Sequence, residues 1–153
     1  MDRDNRVEQL SEADCLRLLA TVPFGRVVYT EHALPAVLPV AFEVAADGGL
    51  VLVLRRGPAV CRALDDNVAA FQADHTDTAT RTGWNVLVHG RAHVVNDPAL
   101  HAQLLRSGPR PWLGEAEPMF VTMTAELISG RRLVPSGAGA AGGGGPAEGA
   151  PYM

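Results

Sequence analysis

Residues 82–95 read T-G-W-N-V-L-V-H-G-R-A-H-V-V. Trp84, Val86, Val88, Gly90, Ala92 and Val94 share one parity; Asn85, Leu87, His89, Arg91, His93 and Val95 share the other. Alternation of this kind is the period of a long β-strand with one apolar and one mixed face. Gly90 interrupts it where a missing side chain permits a bulge, a bend, or close approach of a ligand or another backbone. A long, bent strand of this type passes through a small barrel and helps close it.

The chain has 153 residues, enough for one domain with a substantial core. No apolar run approaches the ~20 residues of a membrane-spanning helix. The charged start, Met1-Asp2-Arg3-Asp4, is unlike a signal peptide, so a cytoplasmic location is expected. With a net charge of −4 there is no global pull toward nucleic acid or acidic membranes, and neither is expected as a partner. Every basic residue is arginine, which excludes lysine Schiff-base chemistry. Cys15 and Cys61 form no C-x-x-C pair and read as ordinary thiols rather than a disulfide.

Outward from the central stretch, turn and cap signals divide the chain. Ser11-Glu12-Ala13-Asp14 resembles a capping box opening a helix that Pro23 stops. Phe24–Thr30, Ala36–Ala45, Leu50–Arg55, Val68–Asp74 and Met119–Ile128 read as further strands. Asp47-Gly48-Gly49 is a hairpin turn. Pro39 lies inside its strand and cannot donate to a ladder, so the strand there lies at an edge, at a bulge, or turns its backbone toward a ligand. Pro58–Asp66 reads as a short helix, and Asp97-Pro98 opens another, with Leu100, Leu104 and Leu105 expected on one face. The expected fold is mainly β: a six-stranded antiparallel barrel with about three short helices. Residues 1–135 form the domain, and 136–153 read as a disordered Gly/Ala/Pro tail. The G-x-G-x-x-G at Gly137–Gly142 has no strand before it and no helix after it, so it is no nucleotide fingerprint.

Candidate chemistry is sparse. His89 and His93 are spaced as a zinc pair would be on a helix, but on a strand they stand roughly 13 Å apart at ~3.3 Å per residue. One metal cannot bridge that, and no metal is expected. No nucleophile elbow is present, and the paired carboxylates Asp65-Asp66 and Asp74 with Asp77 read as solvated caps. Arg55-Arg56-Gly57-Pro58 is sharper: two guanidinium groups end an apolar strand before a helix start, a pattern that suits phosphate. Arg62 lies about one helical turn on. The alternative is a surface cluster that pairs with Asp65 and Asp66. Trp84 and Trp112 are each either filler or a ring-stacking platform.

Together these segments resemble the pyridoxamine 5′-phosphate oxidase-like family of flavin-binding split barrels, from about Leu10 to Leu133. The resemblance is carried by L-P-A-V-L-P-V-A-F, L-V-L-V-L-R-R-G, D-N-V-A-A-F-Q-A-D, R-T-G-W-N-V-L-V-H-G-R-A, then P-W and I-S-G-R-R. It implies a six-stranded split β-barrel, a homodimer with FMN at the interface, and an FMN-dependent oxidoreductase acting on a small molecule. Backbone at Pro39, Val40 and Ala41 would face the isoalloxazine ring. Arg55, Arg56 and Arg62 would meet the phosphate, and Asn85 would reach the ring edge, with Trp84 beside it in the same block. The turn after Arg56 lacks the family's hydroxyl residues, and Cys61 stands near its lysine position. The closing I-S-G-R-R-L departs from the segment that holds the vitamin phosphate, which argues against pyridoxine phosphate as substrate. A deazaflavin in place of FMN, or a non-catalytic module holding flavin or, through His89 or His93, haem, are the alternatives. No catalytic residue is identified.

Overall fold

A computed structural model describes residues 5–112 and 117–135. The tail from residue 136 lies outside the described residues. In chain order the elements are β1 (Asn5–Gln9), α1 (Glu12–Leu19), β2 (Phe24–Glu31), β3 (Leu34–Val44), β4 (Leu50–Arg55) and α2 (Pro58–Leu64). They continue with β5 (Asn67–Asp77), β6 (Thr82–Val94), α3 (Pro98–Ser107), β7 (Pro118–Met123) and β8 (Leu127–Pro135). The sheet order is β1-β8-β6-β5-β2-β3-β4-β7, and an added β6–β7 pairing closes a ring of six strands with β8 and β1 outside it. All the pairings are antiparallel.

β6 is the strand read first, and its parity holds: Trp84, Val86, Val88, Gly90, Ala92 and Val94 are buried, while His89, Arg91 and His93 are exposed. On one edge it pairs with β5 from Thr82 to Ala92; on the other it pairs with β8 up to His89 and with β7 from Ala92. The changeover lies at Gly90, whose missing side chain lets the Thr124 carbonyl lie against the backbone. Thr124 and Glu126 donate backbone bonds to Arg91 and His89 across this point. The single last strand expected over Met119–Ile128 is therefore two strands, broken at Thr124–Glu126 because that backbone must pass from one section of β6 to the next. Ser129–Arg132 belong to β8 rather than following the last strand, and β1, which local pattern did not mark, pairs with β8 from Arg131 to Pro135.

The barrel interior is filled by Val27, Leu52, Phe71, Val86, Val88, Met119 and Val121, all fully buried. Burying a side chain of this size contributes about 1.5–3 kcal/mol. A second, smaller cluster of Ala41, Val53, Val95 and Phe120 lies on the outer side of β3, β4 and β7, with Leu104 of α3 packed on it. Leu100 and Leu105 stay exposed, so α3 covers the sheet with less of its surface than its leucines suggest. Both expected helix caps form: Ser11 Oγ accepts from Asp14 N at 3.1 Å and Asp97 Oδ1 from Ala99 N at 3.1 Å.

Candidate functional site

Pro39 shapes the site. β3 pairs with β4 from Val44 to Ala41, where Ala41 opposes Val53, and the ladder stops there. Phe42 N donates to Pro23 O on the β2 side. Strand alternation then turns the nitrogen of Pro39 toward β4, where it has no hydrogen to give. β3 continues along β2 as far as Leu34, while β4 keeps company with β7. The two strands part between Pro39 and Arg55, and the gap is a trough.

The trough has two compartments that share Pro39, Val40, Leu54 and Arg55. The larger, 560 Å³, adds Glu31, Arg56, Gly57 and the first residues of α2, Pro58–Val60. The smaller, 240 Å³, adds Phe24, Ala41, Val53, Pro111, Trp112 and Pro118. Val40, Ala41, Val53 and Leu54 are buried, so the floor is apolar and made by strands rather than loops. Arg55 stands exposed at the junction and has no hydrogen-bond or ion-pair partner among the described residues. Arg56 donates its backbone N–H to Glu117 O, and its Nε lies 3.5 Å from Glu117 Oε1. It also borders a polar hollow of 420 Å³ with Asn96, Pro98, His101 and Glu117.

The arginines do not form the alternative cluster with Asp65 and Asp66. Asp65 Oδ1 accepts from Val94 N at 2.9 Å, and Asp66 faces Arg91 at 3.4 Å. Those two carboxylates tie the end of α2 to β6. Nearby, burial pushes the Tyr29 hydroxyl pKa up, with the negative charge of Glu31 adding to it.

Of the residues singled out in the sequence, Pro39, Val40, Ala41, Arg55 and Arg56 meet at the trough. Arg62 does not line it; the residue sits exposed in the last turn of α2, which is seven residues long and has no side-chain cap. Trp84 is 8% exposed, within the barrel core. Asn85 lies on the opposite, outer face of β6, across from Asp74 and Arg131. His89 and His93 are exposed on that outer face and line none of these hollows. Among the described residues no group of three His, Cys, Asp or Glu side chains is placed to hold a metal.

Two trough residues carried no decisive local signal. Glu31 ends a strand and reads as a turn-flanking charge. Trp112 is 66% exposed, and its ring stacks on Phe24 with centroids 4.3 Å apart and planes at 28°. Pro111-Trp112 is visible in the sequence, but the aromatic partner comes from a distant strand.

A six-stranded ring split open beside an arginine-edged apolar trough defines the class: a small split-barrel protein. The sequence profile of pyridoxamine 5′-phosphate oxidase matches residues 11–132, and the chain belongs to that family. Uncharacterized protein Rv0080 of Mycobacterium tuberculosis is 38% identical over 133 residues, covering 84% of this chain and 86% of its own. The solved structure of the FAD binding protein from Mycobacterium smegmatis is similar with a TM-score of 0.70 and 31% identity, over 83% of this chain and 98% of that one. A FAD-binding protein from Mesorhizobium loti shares the fold at a TM-score of 0.69 and 24% identity, over 84% and 98% of the two chains. No described helix is long and apolar enough to cross a membrane.

Proposed function

We propose that the protein binds FMN in the trough and acts as a flavin-dependent oxidoreductase on a small molecule, as a homodimer in the cytoplasm. The observation that carries this is Arg55, whose guanidinium stands at the junction of two apolar compartments with no partner among the described residues. The residues suit the group. Arg55 and Arg56 offer guanidinium forks to a phosphate. A side chain at Gly57 would meet nothing within 4 Å, so the backbone after the arginines is open to a ligand. Backbone at Pro39–Ala41 lies on an apolar floor suited to a ring system, and Glu31 would accept from sugar-chain hydroxyls. When bound, the flavin supplies the electron transfer, and the protein's part is to hold and orient. Arg62 and Trp84 have less support in this role from their positions within one chain.

The dimer is supported by the outer face of the sheet. Val37, Val28, Ala70, His89 and Leu127 stand in one cross-strand row. Val37, Val68 and Leu127 are 57%, 60% and 68% exposed, a spread of apolar surface that suits burial against a second copy. Asn85 lies on the same face and would reach the cofactor from that copy.

Absorbance and mass of any co-purified cofactor, followed by titration of cofactor-free protein, test this reading. FMN bound near-stoichiometrically at micromolar concentration is the expected result; colourless protein that takes up no added flavin would sink it. FAD is the second reading, because Arg56 also borders the 420 Å³ hollow, which would leave room for a longer nucleotide. The M. smegmatis relative is an FAD binding protein. Parallel titration with FMN, FAD, a deazaflavin and haem ranks the candidates.

A further inference from the structure

Past Trp112 the same side of β3 leads into another cavity, of 540 Å³, bordered by Thr21 and Val22 after α1, Glu43 and Val44 of β3, Arg110 and Trp112. Its volume lies in the range of small-molecule sites. Trp112 and Ala41 line both this cavity and the smaller compartment of the trough. Trp112 thus stands between the two: its ring stacks on Phe24, and much of the remainder is open to solvent.

Glu43 and Arg110 are exposed, carry opposite charges, and border the same cavity, yet neither has an ion-pair or hydrogen-bond partner among the described side chains. The same lining includes the apolar residues Val22, Phe42, Val44 and Pro109. A ligand with one charge would leave the other side chain without a counterpart. A ligand with both charges and a flat body between them meets every element of the lining.

We propose that this cavity binds a flat, bipolar small molecule, with its ring against Trp112, its cationic group toward Glu43 and its carboxylate toward Arg110. Binding does not depend on the flavin. Assigning the bound molecule as the substrate does rest on the flavin reading, since the cavity adjoins the trough across Trp112.

The test uses the full-length, cofactor-free protein and 4-(aminomethyl)benzoate as probe, with benzylamine and benzoate as single-charge controls. Tryptophan emission reports binding, because Trp112 is exposed while Trp84 is buried. The expected result is a saturable change in emission, and, because Trp112→Phe removes the reporter itself, calorimetry on that variant should show the probe bound more weakly than by the native protein. Glu43→Gln and Arg110→Gln should each weaken the probe about two- to fivefold, the range of an exposed ion pair. Glu43→Gln should also erase the preference over benzoate, and Arg110→Gln the preference over benzylamine. A site held together only by these charges structurally would not show that exchange of preference. No saturable change at tens of millimolar, equal affinity for all three compounds, or preferences untouched by both substitutions would each overturn the proposal. FMN is titrated alongside: FMN binding without a probe response defeats this site alone, and a probe response without FMN binding defeats the flavin reading alone.

Discussion

Pro39 stands across from Arg55 where the β3–β4 ladder would have continued, two residues beyond its last pair, Ala41 with Val53. The proline withholds the donor that would have bonded the strands there, and the arginine on the facing strand, opposite Pro118 on its other edge, is left with no hydrogen-bond or ion-pair partner among the described residues. One residue opens the trough and the other charges its edge.

If the trough takes a phosphate-bearing flavin, Arg55→Ala should weaken FMN by about ten- to a hundredfold, the loss of a charge-assisted contact of roughly 1.5–3 kcal/mol. Riboflavin, which lacks the phosphate, should bind nearly as before. Arg62→Ala should leave FMN affinity almost unchanged, since Arg62 lies outside the lining. Calorimetric titration of both variants checks this; a larger loss for Arg62→Ala would move the phosphate to the far end of α2.

Gly90→Ala should be severely destabilising. The added methyl would overlap the Thr124 carbonyl, and backbone rather than a flexible side chain is in the way. A loss of at least about 3 kcal/mol is expected, near the upper end of overpacking costs, or roughly 6–12 °C in Tm for a chain of this size. Gly57→Ala is the control. Its new methyl meets nothing within 4 Å and its φ of −162° is ordinary extended backbone, so the melt should barely move.

The β2–β3 hairpin turns through His32 and Ala33, whose φ values of 49° and 61° are both left-handed. Two-residue turns of this hand favour Asn-Gly, and Ala in that region is strained. Replacing His32-Ala33 with Asn-Gly should stabilise the fold by about 1 kcal/mol, raising Tm by roughly 2–4 °C. Differential scanning calorimetry would expose an unchanged or lowered Tm, which would mean the turn is held by contacts of His32 instead.

Cys15 and Cys61 should differ in reactivity. Cys15 is fully buried, and burial, reinforced by the Asp14 and Glu12 charges, pushes its thiol pKa up; Cys61 is half-buried. Iodoacetamide on native protein should therefore modify Cys61 alone, with Cys15 labelled only after unfolding. The sign for stability follows: the folded pKa is raised, so the contribution is full below the ordinary thiol pKa of about 8.5 and is lost as pH rises through the folded value. Cys15→Ala should flatten that alkaline decline, which denaturant titrations across pH 7–10 measure.

Much of this molecule is local in origin. The alternation in 82–95 follows from strand geometry, the Ser11 and Asp97 caps from the reach of a short oxygen-bearing side chain, and the Asp47–Gly49 turn from Gly48 at φ 86°. Pro39 and Gly90 announced that something interrupts their strands, because a missing N–H and a missing Cβ are written in the residue itself.

What interrupts them was not local. That Gly90 faces Thr124, that β7 and β8 divide one run of residues, and that β1 pairs with β8 depend on which distant backbone arrives at each edge. The trough follows the same rule. Arg55 is legible as a cation, but that Arg62 lies outside the trough's lining and Trp112 stands on Phe24 is decided by packing between segments far apart in sequence. Residue chemistry and strand period are properties of neighbours along the chain, whereas a cavity belongs to the residues that three-dimensional closure brings to its walls.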